Sequence, residues 1–186
     1  MVYLGFLFFS LTVVNAEAGK GWAMTSPTST NPVTIDGRWT TSKEWTDALQ
    51  GDCGGWGWVA IKDDSDFLYV LVDYVKDTKT GKGDLGWVIW DQKNNGGTKP
   101  ANDDYDLYLE YTSTTTFQSV ILQGTGVAWG NQKMASSIGI SANSTNDATN
   151  DPYSSSPHVI YEFQVPRLLL DNSTTIATIG FWAGAQ

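Results

Sequence analysis

Tyr105-Asp106-Leu107-Tyr108-Leu109-Glu110-Tyr111 is a stretch in which every second residue is a large apolar or aromatic one. Successive side chains of a β-strand point to opposite faces, so the odd-numbered residues lie on one face and the even-numbered ones on the other. A strand with one apolar and one partly polar face is typical of an antiparallel sheet that packs on a core and also faces water. The stretch therefore predicts a half-buried β-strand.

Similar strand patterns recur along most of the chain. The segment 67–74 begins with six apolar residues, which indicates a central strand covered on both faces. Helical turns are expected only at 42–49 and at 167–172, the latter directly after Pro166. The chain is therefore predicted to be all-β, an antiparallel β-sandwich of about eight or more strands. The predicted strands are 58–61, 67–74, 86–91, 105–111, 117–123, 138–140, 158–165 and 175–183.

Composition narrows the classes of function. The chain has 186 residues, enough for one ordinary domain, and a formal net charge of −9 with 11 Lys and Arg residues that do not cluster. An acidic surface repels phosphate, so nucleic acid is not an expected partner. A single Cys excludes an internal disulfide, and a single His excludes sites built from several histidines. The 9 Trp residues and the many Asp residues favour binding of neutral polar ligands such as sugars, and of calcium.

The N-terminal region differs from the rest of the chain. Residues 2–14 are almost wholly apolar and small residues follow, so 1–18 is predicted to be a signal peptide or a hydrophobic N-terminal segment. A membrane-spanning helix needs about 20 apolar residues, so no stable membrane span is expected. Residues 19–32 are predicted to be a linker or N-terminal arm and 33–186 the β-sandwich domain. We expect a secreted or cell-surface glycoprotein, with N-glycosylation sequons at Asn143 and Asn172.

Several landmark segments occur in an order that resembles a known family. They are Thr34-Ile35-Asp36-Gly37, Lys43-Glu44-Trp45-Thr46-Asp47-Ala48, Asp63-Asp64-Ser65-Asp66-Phe67-Leu68-Tyr69-Val70, Trp87-Val88-Ile89-Trp90-Asp91 with Asp103-Asp104-Tyr105, and Tyr161-Glu162-Phe163-Gln164-Val165-Pro166. Their order resembles that of family 9 carbohydrate-binding modules and the related DOMON-like domains, over about residues 33–181. The resemblance implies a jelly-roll-like β-sandwich outside the cell that is usually non-catalytic. Members of the family bind sugars and often calcium, and some DOMON relatives bind haem.

The loop between the predicted strands 86–91 and 105–111 carries carboxylates at both ends, Asp91 at its start and Asp103 and Asp104 at its close. Calcium takes about six to eight oxygen ligands, and a loop closed on itself can supply carboxylates and backbone carbonyls together. In the resembled modules this region lies by a structural site. We therefore expect these three residues to be metal ligands, with calcium as the ion. The alternative is that the Asp side chains accept backbone N–H bonds and pin the loop.

Trp residues in glycine-flanked segments are the candidate ligand-binding residues. Trp56 and Trp58 lie in Gly55-Trp56-Gly57-Trp58, and Trp129 precedes Gly130 and Asn131. Sugar rings stack on aromatic planes while amide groups bond the hydroxyls, so Trp56, Trp58, Trp129 and Asn131 are the expected glycan contacts. The alternative is that each of these Trp residues covers the core or a sheet edge.

Other carboxylates have structural interpretations. Asp63, Asp64 and Asp66 lie in a short hairpin and are expected to form its turn, since the remaining ligands of an EF-hand are absent. Glu44 lies near other carboxylates, as in a glycosidase pair, but a structural role is favoured there too. The resemblance implies that Asp36-Gly37 forms the opening turn of the fold and that Trp45 packs into it.

His158 begins a predicted strand and is expected to be a polar surface group. No nucleophile elbow accompanies it, so the chain is predicted not to be an enzyme. An axial haem ligand is the alternative, but no motif places Met24 or Met134 as its partner.

Two functions remain open at this level. The first is an extracellular, non-catalytic protein that recognises a glycan or polysaccharide and holds a structural calcium ion. The second is a structural subunit of an extracellular filament or surface layer, which self-associates by strand exchange between sheet edges.

Overall fold

The computed structural model describes residues 26–53, 55–170 and 180–186. These residues form ten β-strands and two 3-10 helices, Ala135–Ile138 and Arg167–Leu169, with no α-helix among them. In the same ranges no helix is long and apolar enough to cross a membrane. The strands are β1 (Leu49–Asp52), β2 (Trp58–Asp63), β3 (Phe67–Tyr74), β4 (Leu85–Asp91), β5 (Asp104–Tyr111), β6 (Phe117–Gln123), β7 (Lys133–Met134), β8 (Ser141–Asp147), β9 (His158–Pro166) and β10 (Gly180–Ala185).

The strands pair into two antiparallel sheets of five strands each. The first sheet has the order β1-β2-β3-β9-β8 and the second the order β10-β4-β5-β6-β7. Strands that follow each other within a sheet pair as hairpins, whereas the connections β3–β4, β7–β8 and β9–β10 pass from one sheet to the other. The inner faces share one hydrophobic core, which confirms the predicted antiparallel β-sandwich.

The main core lies between the sheets and uses the face of β5 that the alternation assigns to it. Leu107, Leu109 and Tyr111 are buried there, opposite Tyr161 of β9. Gly86 of β4 allows this close approach, because a Cβ atom at that position would lie 2.4 Å from the ring of Tyr161. Strand positions and core packing therefore agree with the sequence pattern.

A second core covers the outer face of the first sheet. Trp39 and Trp45 are fully buried there against Leu71 of β3 and Ile160 of β9. These Trp residues belong to residues 26–48, which we call the N-terminal layer. Because this layer adds a third level to the sandwich, β3 is covered on both faces, as its continuous apolar sequence predicts.

Glu162 of β9 holds the N-terminal layer from beneath. Its carboxylate is fully buried and accepts hydrogen bonds from the backbone N–H groups of Asp36 (2.9 Å) and Gly37 (2.8 Å) and from Nε1 of Trp45 (3.1 Å). Gly37 adopts a φ of 78°. The expected turn at Asp36-Gly37 and the packing of Trp45 are therefore present.

Lys62 of β2 is the second buried charge beneath this layer. Its Nζ donates to the carbonyl of Asn31 (2.8 Å), to the carbonyl of Glu44 and to Oδ1 of Asp47 (2.8 Å). The other oxygen of Asp47 accepts the backbone N–H groups of Thr30 (2.6 Å) and Asn31 (2.8 Å). Residues at the end of the predicted linker or arm are thus bound to the sandwich.

Some secondary-structure predictions differ from the fold. The predicted strand 138–140 is wrong, because residues Ala135–Ile138 form a 3-10 helix that ends at Gly139 with a φ of 82°. The strands β1, β7 and β8 were not predicted. β8 is a sheet edge and its sequence is almost wholly polar, so no apolar period marks it. The helical turns are confirmed at 42–47 and at Arg167–Leu169, and only the end of the predicted strand 175–183 lies within the described residues, in β10.

Candidate functional site

The outer face of the second sheet carries side chains in cross-strand rows. Directly paired residues of an antiparallel sheet share a face, so each row points outward together. Most of these side chains are partly exposed, and Val120 is buried. We call this surface the open face. Its rows are Trp87, Tyr108, Val120 and Met134; Ile89, Asp106 and Leu122; and Leu85, Glu110 and Gln118.

Asp106 lies at the centre of the open face, between Ile89 and Leu122 in register. Among the described residues, no group donates a hydrogen bond to its carboxylate. Burial among apolar neighbours raises the pKa of Asp106 to about 6. A half-buried carboxylate without a partner is a costly group, and such groups are more common at functional sites than elsewhere.

Amide and phenol groups lie beside Asp106. Nε2 of Gln132 donates to the hydroxyl of Tyr108, which stands opposite Trp87 across the β4–β5 pair. Burial, followed by the charges of Glu110 and Asp106, raises the pKa of Tyr108. The open face therefore combines aromatic rings with hydrogen-bonding groups that are all neutral or acidic.

The four predicted ligand residues divide between the two sheets. Trp56 is 46% exposed in the turn after β1, and Trp58 of β2 stacks on Tyr153 with ring centroids 4.3 Å apart. Gly124 lies two residues after Leu122 of the open face, so it is on the same side of the extended β6 strand. Trp129 forms a β-bridge with Gly124 and therefore lies at the border of the open face. Asn131 is exposed next to it. The four residues predicted to bind a glycan therefore do not form one surface.

The loop between β4 and β5 brings together the three predicted metal ligands. One carboxylate oxygen each from Asp91, Asp103 and Asp104 lies within 4.8 Å of the other two. Oδ1 of Asp104 is buried and has no hydrogen-bond partner within residues 26–53, 55–170 and 180–186. Burial, followed by the neighbouring charges of Asp91 and Asp103, raises the pKa of Asp104. Lys93 is a weak counter-charge, because its Nζ is 3.8 Å from Asp103 on a side chain that is 71% exposed.

The same carboxylates also pin the loop. Asp91 accepts the backbone N–H groups of Lys93 (3.0 Å) and Gly96 (2.8 Å), and Asp104 accepts that of Ala101 (2.7 Å). Each carboxylate oxygen can accept more than one bond, so loop-pinning and ion binding are compatible.

This acidic loop supports the rim of the open face. Gly126 donates its backbone N–H to the carbonyl of Pro100 (2.9 Å), and Nε2 of Gln123 donates to that of Asn102 (2.6 Å). A Cβ atom at Gly124 would lie 1.9 Å from the carbonyl oxygen of Ala101, so only glycine fits there. The loop that carries Trp129 is thus packed directly on the acidic loop.

Asp64 and Glu44 make the structural contacts that their positions in the sequence predict. Asp64 forms the expected turn, because its Oδ1 accepts the N–H groups of Asp66 and Phe67, both at 2.8 Å. Glu44 is buried and accepts those of Thr34 and Thr40, both at 2.7 Å, in agreement with a structural role.

Of the two predicted glycosylation sites, only Asn143 lies within the described residues. Asn143 lies in β8, where its Nδ2 donates to the carbonyl of Ile35 at 3.2 Å. Asn172, Met24 and the predicted signal peptide lie outside the described residues.

The prediction for His158 is wrong. The side chain is fully buried rather than on the surface, and it contacts Asp73 and Asp151. The strand start lies under the β8–β9 connection, which the local sequence does not reveal.

Sequence reasoning also missed the centre of the open face. Asp106 and Tyr108 lie on the even-numbered, partly polar face of the stretch 105–111, but the alternation within one strand does not show which strands are its neighbours. In comparisons with protein-family models, curated proteins and solved structures, no match to this chain was found. For the described residues, the fold therefore defines only a class, an all-β sandwich of two sheets with an additional N-terminal layer packed on the first sheet.

Proposed function

We propose that this protein is a non-catalytic, extracellular glycan-binding β-sandwich whose ligand lies across the open face. The observation that carries the proposal is Asp106, a half-buried carboxylate that accepts no hydrogen bond from the part of the chain that the structure describes, on a surface with Trp87 and Tyr108. The order of sequence landmarks resembles carbohydrate-binding modules, which adds independent support.

The chemistry of the open face suits a neutral polyhydroxylated ligand. A sugar presents C–H faces that pack on aromatic rings, and hydroxyl groups that donate to a carboxylate. Gln118 and Gln132 would supply amide groups at the edges, and Trp129 would extend the aromatic surface along the rim. A phosphorylated or sulfated ligand is disfavoured, because Asp106 and Glu110 would repel it.

We also propose that Asp91, Asp103 and Asp104 bind one calcium ion. The buried, unpartnered oxygen of Asp104 supports this, because an ion would satisfy it and offset the repulsion among three carboxylates. The acidic loop packs on Gly124, and its residue Pro100 contacts the loop that carries Trp129. Calcium would therefore also stabilise the rim of the binding surface.

Titration calorimetry against mono-, oligo- and polysaccharides tests the glycan proposal. Trp87→Ala should weaken the binding found in the panel at least about tenfold, the equivalent of ~1.4 kcal/mol. Trp56→Ala is the matched control, because Trp56 is exposed on the first sheet and should leave affinity unchanged. Loss of binding in the control alone would move the site to the β1–β2 turn, and silence across the whole panel would contradict glycan binding.

Thermal unfolding with calcium and with a chelator tests the ion site. Calcium should raise the Tm of the wild-type protein, and Asp103→Asn should abolish this response, because a ligand that binds only the folded state stabilises it. Asp66→Asn removes a carboxylate from an exposed turn and should preserve the response. A Tm that is the same with calcium and with chelator would leave loop-pinning as the role of these residues.

One observation favours the second function, a subunit of an extracellular filament or surface layer. β10 is an edge strand of the second sheet, and Gly180-Phe181-Trp182-Ala183-Gly184-Ala185 carries no charge or proline that would block pairing with another chain. Electron microscopy of the purified protein separates the two functions. Ordered polymers would support this alternative, and dispersed single molecules would support the glycan-binding module.

A further inference from the structure

A second cluster of potential metal ligands lies in the first sheet, apart from the acidic loop. It consists of Asp73 near the end of β3, His158 at the start of β9, and Asp151 in the connection between β8 and β9. All three side chains are fully buried. The proposed glycan-binding function makes no use of them.

The hydrogen bonds of His158 fix where its protons lie. Nδ1 is 2.8 Å from the carbonyl oxygen of Ser156, which can only accept, so Nδ1 carries a hydrogen. Nε2 faces two carboxylate oxygens, Oδ1 of Asp73 at 2.6 Å and Oδ2 of Asp151 at 3.3 Å. Either a second proton or a metal ion must therefore occupy the space between Nε2 and these oxygens.

The surrounding groups orient all three side chains toward that space. Oδ2 of Asp73 accepts Nε1 of Trp39 at 3.1 Å. Asp151 accepts the backbone N–H groups of Tyr153 (2.8 Å) and Ser154 (3.1 Å). An imidazole whose Nδ1–H is bound to a carbonyl, beside carboxylates that are themselves hydrogen-bonded, is the arrangement found around metal ions.

The net charge of the site differs between a proton and a metal ion as the group bound at Nε2 of His158. With a proton on Nε2 and both carboxylates ionised, one imidazolium faces two negative charges, which leaves a net charge of −1 among side chains that are fully buried. Among the described residues, no Lys or Arg forms an ion pair with Asp73 or Asp151. With a divalent ion and a neutral imidazole the net charge is zero, which removes the cost of an uncompensated buried charge.

Geometry and ligand type indicate which ion fits. Tetrahedral zinc with ligands at about 2.0–2.2 Å places neighbouring ligand atoms about 3.3 Å apart. The Asp151–His158 distance of 3.3 Å already has this value, and the Asp73–His158 distance of 2.6 Å would open when the ion replaces the proton. Imidazole nitrogen favours zinc and similar transition-metal ions, whereas calcium prefers oxygen ligands. We propose that Asp73, Asp151 and His158 bind one divalent transition-metal ion of the zinc class, which ties β3, β9 and the β8–β9 connection together.

Titration of the metal-free full chain with Co²⁺ tests this site, because tetrahedral Co²⁺ with a nitrogen ligand absorbs visible light. We expect one Co²⁺ per chain with visible bands that Zn²⁺ abolishes by displacement. Asp151→Asn should weaken this binding at least about tenfold, as loss of a ligand does. Asp66→Asn, which removes a carboxylate from the exposed turn before β3, is the matched control and should leave it unchanged.

The ¹⁵N spectrum of the His158 ring in the unmodified protein decides the case without any variant. With saturating Zn²⁺ we expect Nδ1 protonated and Nε2 shifted by the metal. An imidazolium signal under the same conditions, an absence of visible Co²⁺ bands, or equal Co²⁺ affinity in Asp151→Asn and the wild type would each overturn the proposal.

Discussion

At the scale of single residues, Asp106 is a half-buried carboxylate whose ionisation opposes stability. Its pKa is about 6 in the fold against an ordinary value of 3.8, so the folded protein binds more protons than the unfolded chain between these values. Its contribution to stability is fully present below pH 3.8 and is lost as the pH rises through about 6.

Asp106→Asn should therefore stabilise the protein above pH 6. We expect a free energy of unfolding about 1–2 kcal/mol higher than that of the wild type near neutral pH, with the difference vanishing near pH 4. Urea unfolding across this pH range measures it. Equal stability of the two proteins at neutral pH would contradict the assignment of Asp106 as an uncompensated carboxylate.

Glycine is required at position 37 for two separate reasons, the backbone conformation and the close packing. It has a φ of 78°, and a Cβ atom would lie 2.6 Å from the backbone of Ser144. Gly83 has a φ of 96° with open space around it, so it isolates the cost of the backbone conformation alone. Gly37→Ala should destabilise by about 3 kcal/mol or more and Gly83→Ala by about 1–2 kcal/mol, measured by chemical unfolding. Equal losses in the two variants would mean that the N-terminal layer adjusts to the extra methyl group.

At the scale of elements, the N-terminal layer is held by charge as well as by its Trp residues. The pKa of Asp47 is lowered well below its usual range, because the hydrogen bonds from Lys62 and the N–H groups of Asn31 and Thr30 outweigh its burial. Its stabilising effect is thus present above pH 3.8 and is lost as the pH falls below that value.

Lys62→Met should loosen this layer selectively. Removal of the ammonium leaves Asp47 and two carbonyls without their donor, at a cost of about 3–5 kcal/mol. Hydrogen exchange should become faster in residues 26–48 while β5 and β6 stay protected. Lys93→Met is the control, since that side chain is 71% exposed and its removal should change stability by less than ~1 kcal/mol. Uniform acceleration across both sheets would show that the layer does not open by itself.

Elements differ in how well their sequences predict them. β3, β5 and β9 each bury all or most of at least one face, so their apolar residues follow a period of two or form a continuous run. β8 pairs along one side only, and polar residues such as Asn143 and Thr145 contact the N-terminal layer by hydrogen bonds. β8 therefore has no hydrophobic pattern from which a strand could be predicted.

At the scale of the whole molecule, the three candidate sites were predictable to different degrees. Asp91 and Asp104 flank one hairpin loop and are paired in register, so sequence proximity alone brings them together. The open face instead combines Trp87 with Met134, which are neighbours only through two intervening strands. His158 meets Asp73 through the β3–β9 pairing, which no local pattern encodes. Sites made by register across distant strands were therefore missed.

The sandwich should depend on its third layer as a whole. A chain that starts at Leu49 would expose Leu71 and Ile160 and leave Lys62 and Glu162 without the groups that satisfy them. We expect this shortened chain to lose near-ultraviolet circular dichroism and cooperative unfolding. A cooperative transition at the midpoint of the full chain would show that the two sheets fold independently of residues 26–48.

The position of Glu162 beneath Asp36 and Gly37 also has a consequence for biosynthesis. The ribosome makes the N-terminal layer early, yet its hydrogen-bond acceptor lies 126 residues after Asp36. Trp39 and Trp45 therefore emerge long before β9 exists to receive them, and they stay uncovered until it does. A nascent chain in this condition offers binding sites to chaperones until β9 has been made, and its N-terminal layer folds only afterwards.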